Sequence, residues 1–476
     1  MEMRRERRRA KGGERRAESE GQRAKGEGRR ARGERRNFVH GAGNKSEETA
    51  FLYSIFNVRN LLFILTVFLL LLSVGGFAQE QRFPKPDFET GYVQPDTSTP
   101  EPRSLSLEFI DVFILIAVMS LAAWFVFKSR SRLGILLLSI FSLIYFGFYR
   151  EGCICSIGSI QNISLSFFDP AYTVSLPTLA FFILPLLFTL FFGRLFCGSA
   201  CPLGVIQDLV NVKPIEIPQW LQKSLGLFPY IYLGLAVLFA ATGTDFIICR
   251  FDPFVGIFRM GAEFHIIILG ISFLLMSLFV GRPYCRFVCP YGVLLSWVSR
   301  FSWKHLSITP SKCIQCKLCT TSCPFDVIDY PTNEKLELNS KSNRRNFTIW
   351  FLLIPVWMLV FGFTVSKAHI FLSKANSTVY LAELLIAQPE LISESDNLDI
   401  DTFRSSGKTI EQLIEEARII QAKFYTGSWI LGIFLGLVIG IMLMNQFRFR
   451  KRKDYEANRA DCLSCGRCMD YCPVPE

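Results

Sequence analysis

Two cysteine runs that lie far apart in the chain constrain its fold more than any other feature. They occupy residues 313–324 and 462–473, and both follow the pattern C-x2-C-x2-C-x3-C-P. This is the pattern of bacterial ferredoxins with two [4Fe–4S] clusters, in which the fourth cysteine of each run binds the other cluster, so the two runs have to meet in the folded protein. The expected ligand sets are Cys313, Cys316, Cys319 and Cys472 for one cluster, and Cys462, Cys465, Cys468 and Cys323 for the other. Zinc also binds C-x2-C pairs, but four cysteines in this order before a proline, present twice, favour clusters.

The hydrophobic content of the chain indicates a membrane protein. Half of its 476 residues are hydrophobic and 45 are Phe, which is more than a soluble protein of this size needs for its cores. A helix crosses a hydrocarbon core of ~30 Å with about 20 residues. Eight apolar runs of roughly this length are predicted as spans: 60–78, 108–127, 133–149, 174–193, 226–248, 266–281, 347–366 and 428–446.

Basic clusters at the ends of these spans predict the orientation. Lys and Arg concentrate in residues 128–132, 344–345 and 448–453, and the cytoplasmic ends of spans are enriched in these residue types. Counting spans places all three clusters and both cysteine runs on the cytoplasmic side. Two spans separate the runs, so the topology also lets the two halves of one ferredoxin module meet beneath the membrane.

The formal net charge of +11 comes mostly from the first 36 residues, which hold 15 Lys/Arg and 7 Asp/Glu. This segment has low complexity and no apolar periodicity, so residues 1–57 are expected to be a disordered basic tail. Residues 58–79 are interpreted as a signal peptide or a first transmembrane anchor, and 80–104 as a periplasmic linker. The rest of the chain is close to neutral, so no nucleic-acid partner is expected.

The middle of the chain repeats the signature G-R-x-[FY]-C-x3-C-P-x-G-V. The copies occupy residues 193–205 and 281–293, at the ends of two predicted spans, and repeats in membrane proteins commonly build a functional site where they meet. They contribute Cys197, Cys201, Cys285 and Cys289. Three interpretations are open: a metal or Fe–S centre, a pair of redox dithiols, and structural cysteines. Arg194 and Arg282 either screen the charge of a thiolate site or anchor the spans at the membrane interface.

Local geometry within each copy is also predicted. The C-x3-C spacing puts both thiols on one face if the segment is helical. The proline that follows fits the first turn of a new helix.

The remaining cysteines, Cys153, Cys155 and Cys249, sit at the outer ends of predicted spans. An outer redox site, a disulfide and buried small side chains are all compatible with them. No C-x-x-C-H motif occurs, and none of the four His is paired at helical spacing, so neither haem c nor a bis-His haem is expected. The outer insert 367–427 ends in an amphipathic helix with Thr409 as its N-cap.

Together these motifs resemble the NosR/NapH-type membrane polyferredoxins, over residues 105–330 and 440–476. The stretch 152–162 also looks like one found in the NosR branch. The resemblance implies electron transfer between a cytoplasmic or quinone donor and a periplasmic reductase or its maturation system. NosR proteins also carry an outer domain with a covalent flavin, but residues 80–104 are too short to hold one, so no covalent flavin is expected.

The predicted fold is an all-α polytopic membrane protein of seven or eight transmembrane helices, with an internal duplication and a bipartite cytoplasmic two-[4Fe–4S] ferredoxin module. The predicted domains after the linker are a duplicated membrane domain 105–305, ferredoxin half 1 at 306–340, a span 347–366, a periplasmic insert 367–427, a span 428–446 and ferredoxin half 2 at 447–476.

The predicted function is electron transfer in the bacterial inner membrane, with two [4Fe–4S] clusters and a third redox centre at the duplicated cysteines. No acid, base or nucleophile constellation accompanies these motifs, as suits a one-electron relay. The alternative is a copper- or metal-reducing assembly factor for a respiratory oxidase or reductase, in which the duplicated cysteines handle copper, because soft thiolates favour Cu(I).

Overall fold

The computed structural model of the protein describes residues 103–152, 156–212, 214–215, 217–308, 313–332, 340–387, 400, 403, 407–447 and 452–473. The predicted basic tail, the first predicted span and nearly all of the predicted linker lie outside these residues. Cys153 and Cys155 also lie outside them.

Helices dominate the described residues, and a single two-stranded sheet accompanies them. The helices are α1 Leu105–Phe127, α2 Arg132–Ser142, α3 Ser159–Phe168, α4 Leu176–Phe192, α5 Pro202–Val210, α6 Gln219–Leu225, α7 Phe228–Ala241, α8 Ile247–Phe251, α9 Pro253–Phe258, α10 Phe264–Ser277, α11 Pro283–Phe287, α12 Pro290–Ser299, α13 Leu318–Ser322, α14 Ser340–Ser366, α15 His369–Ser373, α16 Ser377–Ala387, α17 Ile410–Asn445 and α18 Arg467–Asp470. Two π-helical segments, Leu143–Tyr149 and Phe196–Ala200, extend α2 and precede α5, and the strands are β1 Ile328–Asp329 and β2 Glu456–Ala457.

Five stretches among the described residues are long and apolar enough to cross a membrane: Leu105–Phe127, Arg132–Tyr149, Gln219–Ala241, Arg344–Ser366 and Ile410–Asn445. Each overlaps a predicted span. The predicted spans 174–193 and 266–281 correspond to shorter apolar helices, α4 and α10, whose lengths are only about 26 and 21 Å at 1.5 Å per residue. The predicted all-α fold of a polytopic membrane protein is thus confirmed, and the two helices that precede the duplicated cysteines are shorter than its five candidate spans.

Helices α14 and α17 form a closely packed pair. Gly432, Gly436 and Gly440 of α17 face the backbone or side chains of Phe361, Trp357 and Ile354 in α14. Glycines let the backbones of two apolar helices approach closely. In lipid the hydrophobic effect does not drive two helices together, so van der Waals packing of this kind stabilises the pair. The pair carries the chain from the first cysteine run to the second.

Helix α17 begins where the sequence predicted a cap. The Thr409 hydroxyl accepts from the Gln412 amide, and the Gln412 side chain accepts from the Thr409 amide, which completes a capping box. Leu413 and Ala417 then pack against α16. The helix runs without interruption for 36 residues, about 54 Å, so the predicted amphipathic stretch and the predicted span 428–446 are parts of one helix.

The duplication is visible as a repeated order of elements. In the first copy α4 leads to the π-helical segment and then to α5, and in the second α10 leads to α11 and then to α12. Pro202 and Pro290 occupy the first turns of α5 and α12, as predicted. Both helices start directly after a cysteine of the C-x3-C pair.

The two cysteine runs come together through local secondary structure. Strands β1 and β2 pair antiparallel, with Ile328 opposite Ala457 and Asp329 opposite Glu456. Helices α13 and α18, which follow the first cysteines of each run, are in contact. One buried cluster joins these halves to the membrane helices and includes cysteines from both runs and from both duplicated motifs.

Candidate functional site

The cysteines of the first run share a small cavity with one cysteine of the second. Cys313, Cys316, Cys319 and Cys472 line it, and Tyr455 closes one side. Gln315 and Lys317 adopt φ values of +54° and +65°, so the chain curls tightly between the cysteines. The structure thus brings together the four residues that the spacing predicted for one cluster.

The second predicted ligand set, which consists of Cys462, Cys465, Cys468 and Cys323, is more buried than the first. Burial, with a smaller contribution from the nearby Cys465 and Cys323 thiols, raises the pKa of the Cys462 thiol to about 12. Burial likewise raises the pKa of Cys468 well above its usual range, and the neighbouring thiols of Cys462, Cys465 and Cys323 contribute to the rise. Thiols held this way stay protonated until a metal displaces the protons. Cys323 therefore lies with the cysteines of the other run, in the crossed arrangement.

The four duplicated cysteines form a third group. Cys197, Cys201 and Cys289 are buried and Cys285 is partly exposed. Cys285 and Cys289 both interact electrostatically with Cys197 and Cys201. We call this group the membrane thiol site. Each copy alone supplies two thiols, and only the packing of the copies brings all four together.

The local backbone at the membrane thiol site is wider than an α-helical turn. The amide of Cys201 donates to the carbonyl of Phe196, and that of Cys289 donates to the carbonyl of Tyr284, each at 2.9 Å and five residues back. Such π-type turns are rare and are frequent at functional sites. The predicted helical geometry of C-x3-C therefore holds in a widened form, in which the second cysteine becomes the N-cap of the next helix.

Two arginines of the repeated signature point into the protein. Arg194 and Arg282 have relative exposures of 7% and 1%, so the interpretation as interface anchors is wrong. Arg194 donates to the Cys197 sulfur at 3.8 Å. Arg282 donates to the Cys197 carbonyl and to the Asp208 carboxylate, the latter at 2.7 Å. Buried guanidinium groups next to thiols favour a bound centre with negative charge.

The membrane thiol site contacts the second ferredoxin half directly. Arg194 donates to the Ala460 carbonyl at 3.1 Å, and Arg132 donates to the Cys465 carbonyl at 2.5 Å. Gly198, between Cys197 and Cys201, lies against the carbonyl of Leu463 so closely that a Cβ would overlap it. The segments that carry the thiols therefore adjoin in this order: the membrane thiol site, then the buried ferredoxin set, then the more exposed one.

Donor chemistry at the membrane thiol site fits a thiolate-bound centre. The Nε atoms of Arg194 and Arg282 are buried and lack a hydrogen-bond partner among the described residues. Within the same residues, no three His, Cys, Asp or Glu converge closely enough to hold a single metal ion. The ligands of a cubane each bind a different iron, so they are spread more widely than those of a single ion. The four thiols and the adjacent cations are compatible with such a cube.

Of the three cysteines considered for an outer redox site, only Cys249 lies within the described residues. It is an exposed residue of α8, and it lines a cavity of 170 Å³ together with Asp111, Arg150 and Asp252. Asp111 is fully buried, pairs with Arg150 at 2.9 Å and accepts from the Tyr145 hydroxyl at 2.7 Å. These carboxylates were not predicted from the sequence.

Sequence reasoning also missed Gln207 and Asp208. Gln207 donates to the Cys285 sulfur at 3.4 Å, and Asp208 pairs with Arg282. The available signal was the difference between the copies, because the equivalent positions in the second copy are Leu295 and Ser296.

Comparison with known proteins identifies 4Fe–4S binding domains in the regions that contain these cysteines. A family model described as "4Fe-4S binding domain" matches residues 174–227 and 263–309, which include all four duplicated cysteines. A second model with that description matches residues 306–329, which include the first cysteine run. No solved structure gives a significant match to the chain.

Several curated proteins are similar over part of their length. An uncharacterized protein of Methanocaldococcus jannaschii is 28% identical over 39% of this chain and 78% of its own length. Regulatory protein NosR of Stutzerimonas stutzeri is 26% identical over 42% of this chain and 30% of its own. Putative electron transport protein YccM of Escherichia coli is 26% identical over 29% of this chain and 43% of its own. The chain thus spans less than half of the two named relatives. With the 4Fe–4S models and the apolar helices, these matches confirm the resemblance found in the sequence: the chain is a NosR/NapH-like 4Fe–4S membrane protein.

Proposed function

We propose that this protein transfers electrons one at a time in the bacterial inner membrane, between a cytoplasmic or quinone donor and a periplasmic reductase or its maturation system. The observation that carries the proposal is that the segments bearing the three thiol groups adjoin one another. Gly198 lies against Leu463, and Cys319 is near enough to Cys468 to raise the pKa of that thiol. The name of the Escherichia coli relative, a putative electron transport protein, supports the same function.

The ligands follow the crossed sets. Cys313, Cys316, Cys319 and Cys472 hold one [4Fe–4S] cluster; Cys462, Cys465, Cys468 and Cys323 hold the second; Cys197, Cys201, Cys285 and Cys289 hold a third centre. Bound clusters supply one-electron transfer, which needs no acid, base or nucleophile from the chain. The protein buries Cys197, Cys201 and Cys289 of the membrane thiol site and Cys465 and Cys468 of the second set, and Arg194 and Arg282 place positive charge beside the membrane thiol site.

Iron analysis tests the number of centres. We expect anaerobically purified protein to hold about twelve iron atoms and matching sulfide per chain, because three sets of four thiols each suit one cube. Cys197→Ser should lower this to about eight and remove one set of EPR signals. Cys249→Ser, which changes an exposed cysteine outside all three groups, is the matched control and should change neither. Full iron in Cys197→Ser would contradict the third centre.

Metal identity separates this function from the alternative. If the membrane thiol site holds copper rather than iron, copper should co-purify with the protein and disappear in Cys197→Ser and Cys285→Ser. That result would favour a metal-reducing assembly factor, because buried soft thiolates select Cu(I).

The proposed orientation has its own prediction. Arg130 and Arg132 donate to the carbonyls of Ile308 and Cys465, so the basic end of α1 and α2 lies at the ferredoxin halves, and basic ends face the cytoplasm. In a Cys249→Ser background, we expect Lys453→Cys to resist a membrane-impermeant thiol reagent in spheroplasts and to react in inverted vesicles. Wild-type Cys249, at the opposite end, should show the reverse pattern. Reaction of Lys453→Cys in spheroplasts would contradict the orientation.

A further inference from the structure

Gln207 is a buried amide in α5 whose three hydrogen bonds fix its orientation. Its Oε1 accepts from the Tyr284 amide at 3.1 Å, and its Nε2 donates to the Leu203 carbonyl at 2.7 Å. With both of these partners in place, the NH2 group is also directed at the Cys285 sulfur, at 3.4 Å. A flipped amide would oppose oxygen to oxygen at Leu203, so the donor toward the sulfur is determined by the network.

The hydrogen bond from Gln207 to Cys285 joins the first copy of the repeat to the second. Among the described residues, the second copy makes no equivalent bond to the first. Gln207 follows Cys201 by six residues and binds a thiol of the other copy. The residue six positions after Cys289 is Leu295, which is fully buried and has no donor to offer. The second copy therefore lacks the amide.

The arginines show the same asymmetry. Arg194 donates to a thiol sulfur, that of Cys197. Arg282, its equivalent in the repeat, donates instead to a backbone carbonyl and to Asp208. The two sides of the membrane thiol site thus differ: a guanidinium donates a hydrogen bond to the Cys197 sulfur, and a neutral amide donates one to the Cys285 sulfur.

We propose that Gln207 is a positioning residue that raises the reduction potential of the centre held at the membrane thiol site, by donating a hydrogen bond to the Cys285 sulfur. The inference rests on the proposed function, which puts a redox centre on these thiols. An added electron increases the negative charge on the ligating sulfurs, so a donor to sulfur stabilises the reduced state more than the oxidised state. The amide is neutral and therefore acts at all accessible pH values.

The test replaces Gln207 by the residue that the other copy uses. We expect Gln207→Leu, in the anaerobically purified full-length protein, to keep its iron. Its membrane centre should become about tenfold harder to reduce in an EPR-monitored redox titration, and tenfold for a one-electron centre corresponds to a shift of about −59 mV. The membrane centre is identified beforehand as the signal that Cys197→Ser removes.

A neighbouring amide supplies the matched control. Asn211, four residues on, donates to the Ser277 carbonyl at 2.8 Å and not to a thiol. Asn211→Leu should therefore leave the potential of the membrane centre unchanged, although it deletes a comparable hydrogen bond. Gln207→Met, which keeps the length of the side chain without the donor, should reproduce the shift of Gln207→Leu.

The outcomes separate this inference from the proposed function. An unchanged potential with full iron in Gln207→Leu and Gln207→Met would overturn the inference alone. Loss of the membrane centre in both variants would overturn it as well, because the role would then be structural. A wild-type protein with no signal that depends on Cys197 would instead overturn the third centre of the proposed function.

Discussion

Replacing Gly436 with Leu is expected to separate α14 from α17 and to empty both ferredoxin ligand sets. A Cβ at this position would lie 2.5 Å from the Trp357 carbonyl and 2.7 Å from the Met358 Cα, so backbone has to move. Overpacking of this kind costs about 1–3 kcal/mol or more. The displacement carries the second cysteine run away from the first, and each cluster takes ligands from both. We expect the purified variant to lose most of its ferredoxin iron and to unfold at a lower temperature.

The control for this prediction is Gly261→Ala. A Cβ there meets only the Arg259 carbonyl, at 3.7 Å, so the substitution should leave iron content and unfolding temperature as in the wild type. Retention of all ferredoxin iron in Gly436→Leu would show that the halves meet without the help of the helix pair.

The second large effect is expected at Arg282. Its fully buried guanidinium pairs with Asp208 at 2.7 Å, and a second cation, Arg467, is 3.9 Å from that carboxylate. Removing one partner of a buried pair costs roughly 3–5 kcal/mol, because the other charge is left without compensation. Arg282→Gln should therefore lower the free energy of unfolding by about that amount, measured by chemical denaturation in detergent. It should also remove the connection that Arg282 makes between the Cys197 carbonyl and Asp208.

Two further variants test whether the effect of Arg282→Gln comes from the buried charge pair. The double variant Arg282→Gln/Asp208→Asn should recover part of the loss, because it removes both charges. Arg250→Gln breaks an exposed pair with Asp245 at 3.0 Å, which is worth under about 1 kcal/mol, and should have little effect. Equal stability of Arg282→Gln and Arg250→Gln would contradict the interpretation of a buried charge pair.

Several local features were predictable because the information is contained in a few neighbouring residues. The capping box at Thr409 follows from Thr and Gln three residues apart, and the helix starts at Pro202 and Pro290 follow from the fixed φ of proline. The amphipathic stretch before residue 428 and the span 428–446 were predicted separately, because the polar first part of α17 and its apolar second part differ in composition. Both parts favour the same backbone, so the helix continues.

The sequence by itself determined the membrane-spanning character and the duplication, and it predicted the ferredoxin ligand sets, because apolar length and cysteine spacing are properties of short segments. Only the tertiary structure decided that Arg194 faces a sulfur while Arg282 faces Asp208, and that Gln207 reaches a thiol of the other copy. Arg194 lies only three residues from its sulfur, but the Arg282–Asp208 and Gln207–Cys285 contacts join residues 74 and 78 positions apart, and no local pattern encodes those two. Their partners are determined by how the two copies pack. A buried charge or amide loses its hydration, and this costs free energy unless the group finds a hydrogen-bonding or charged partner.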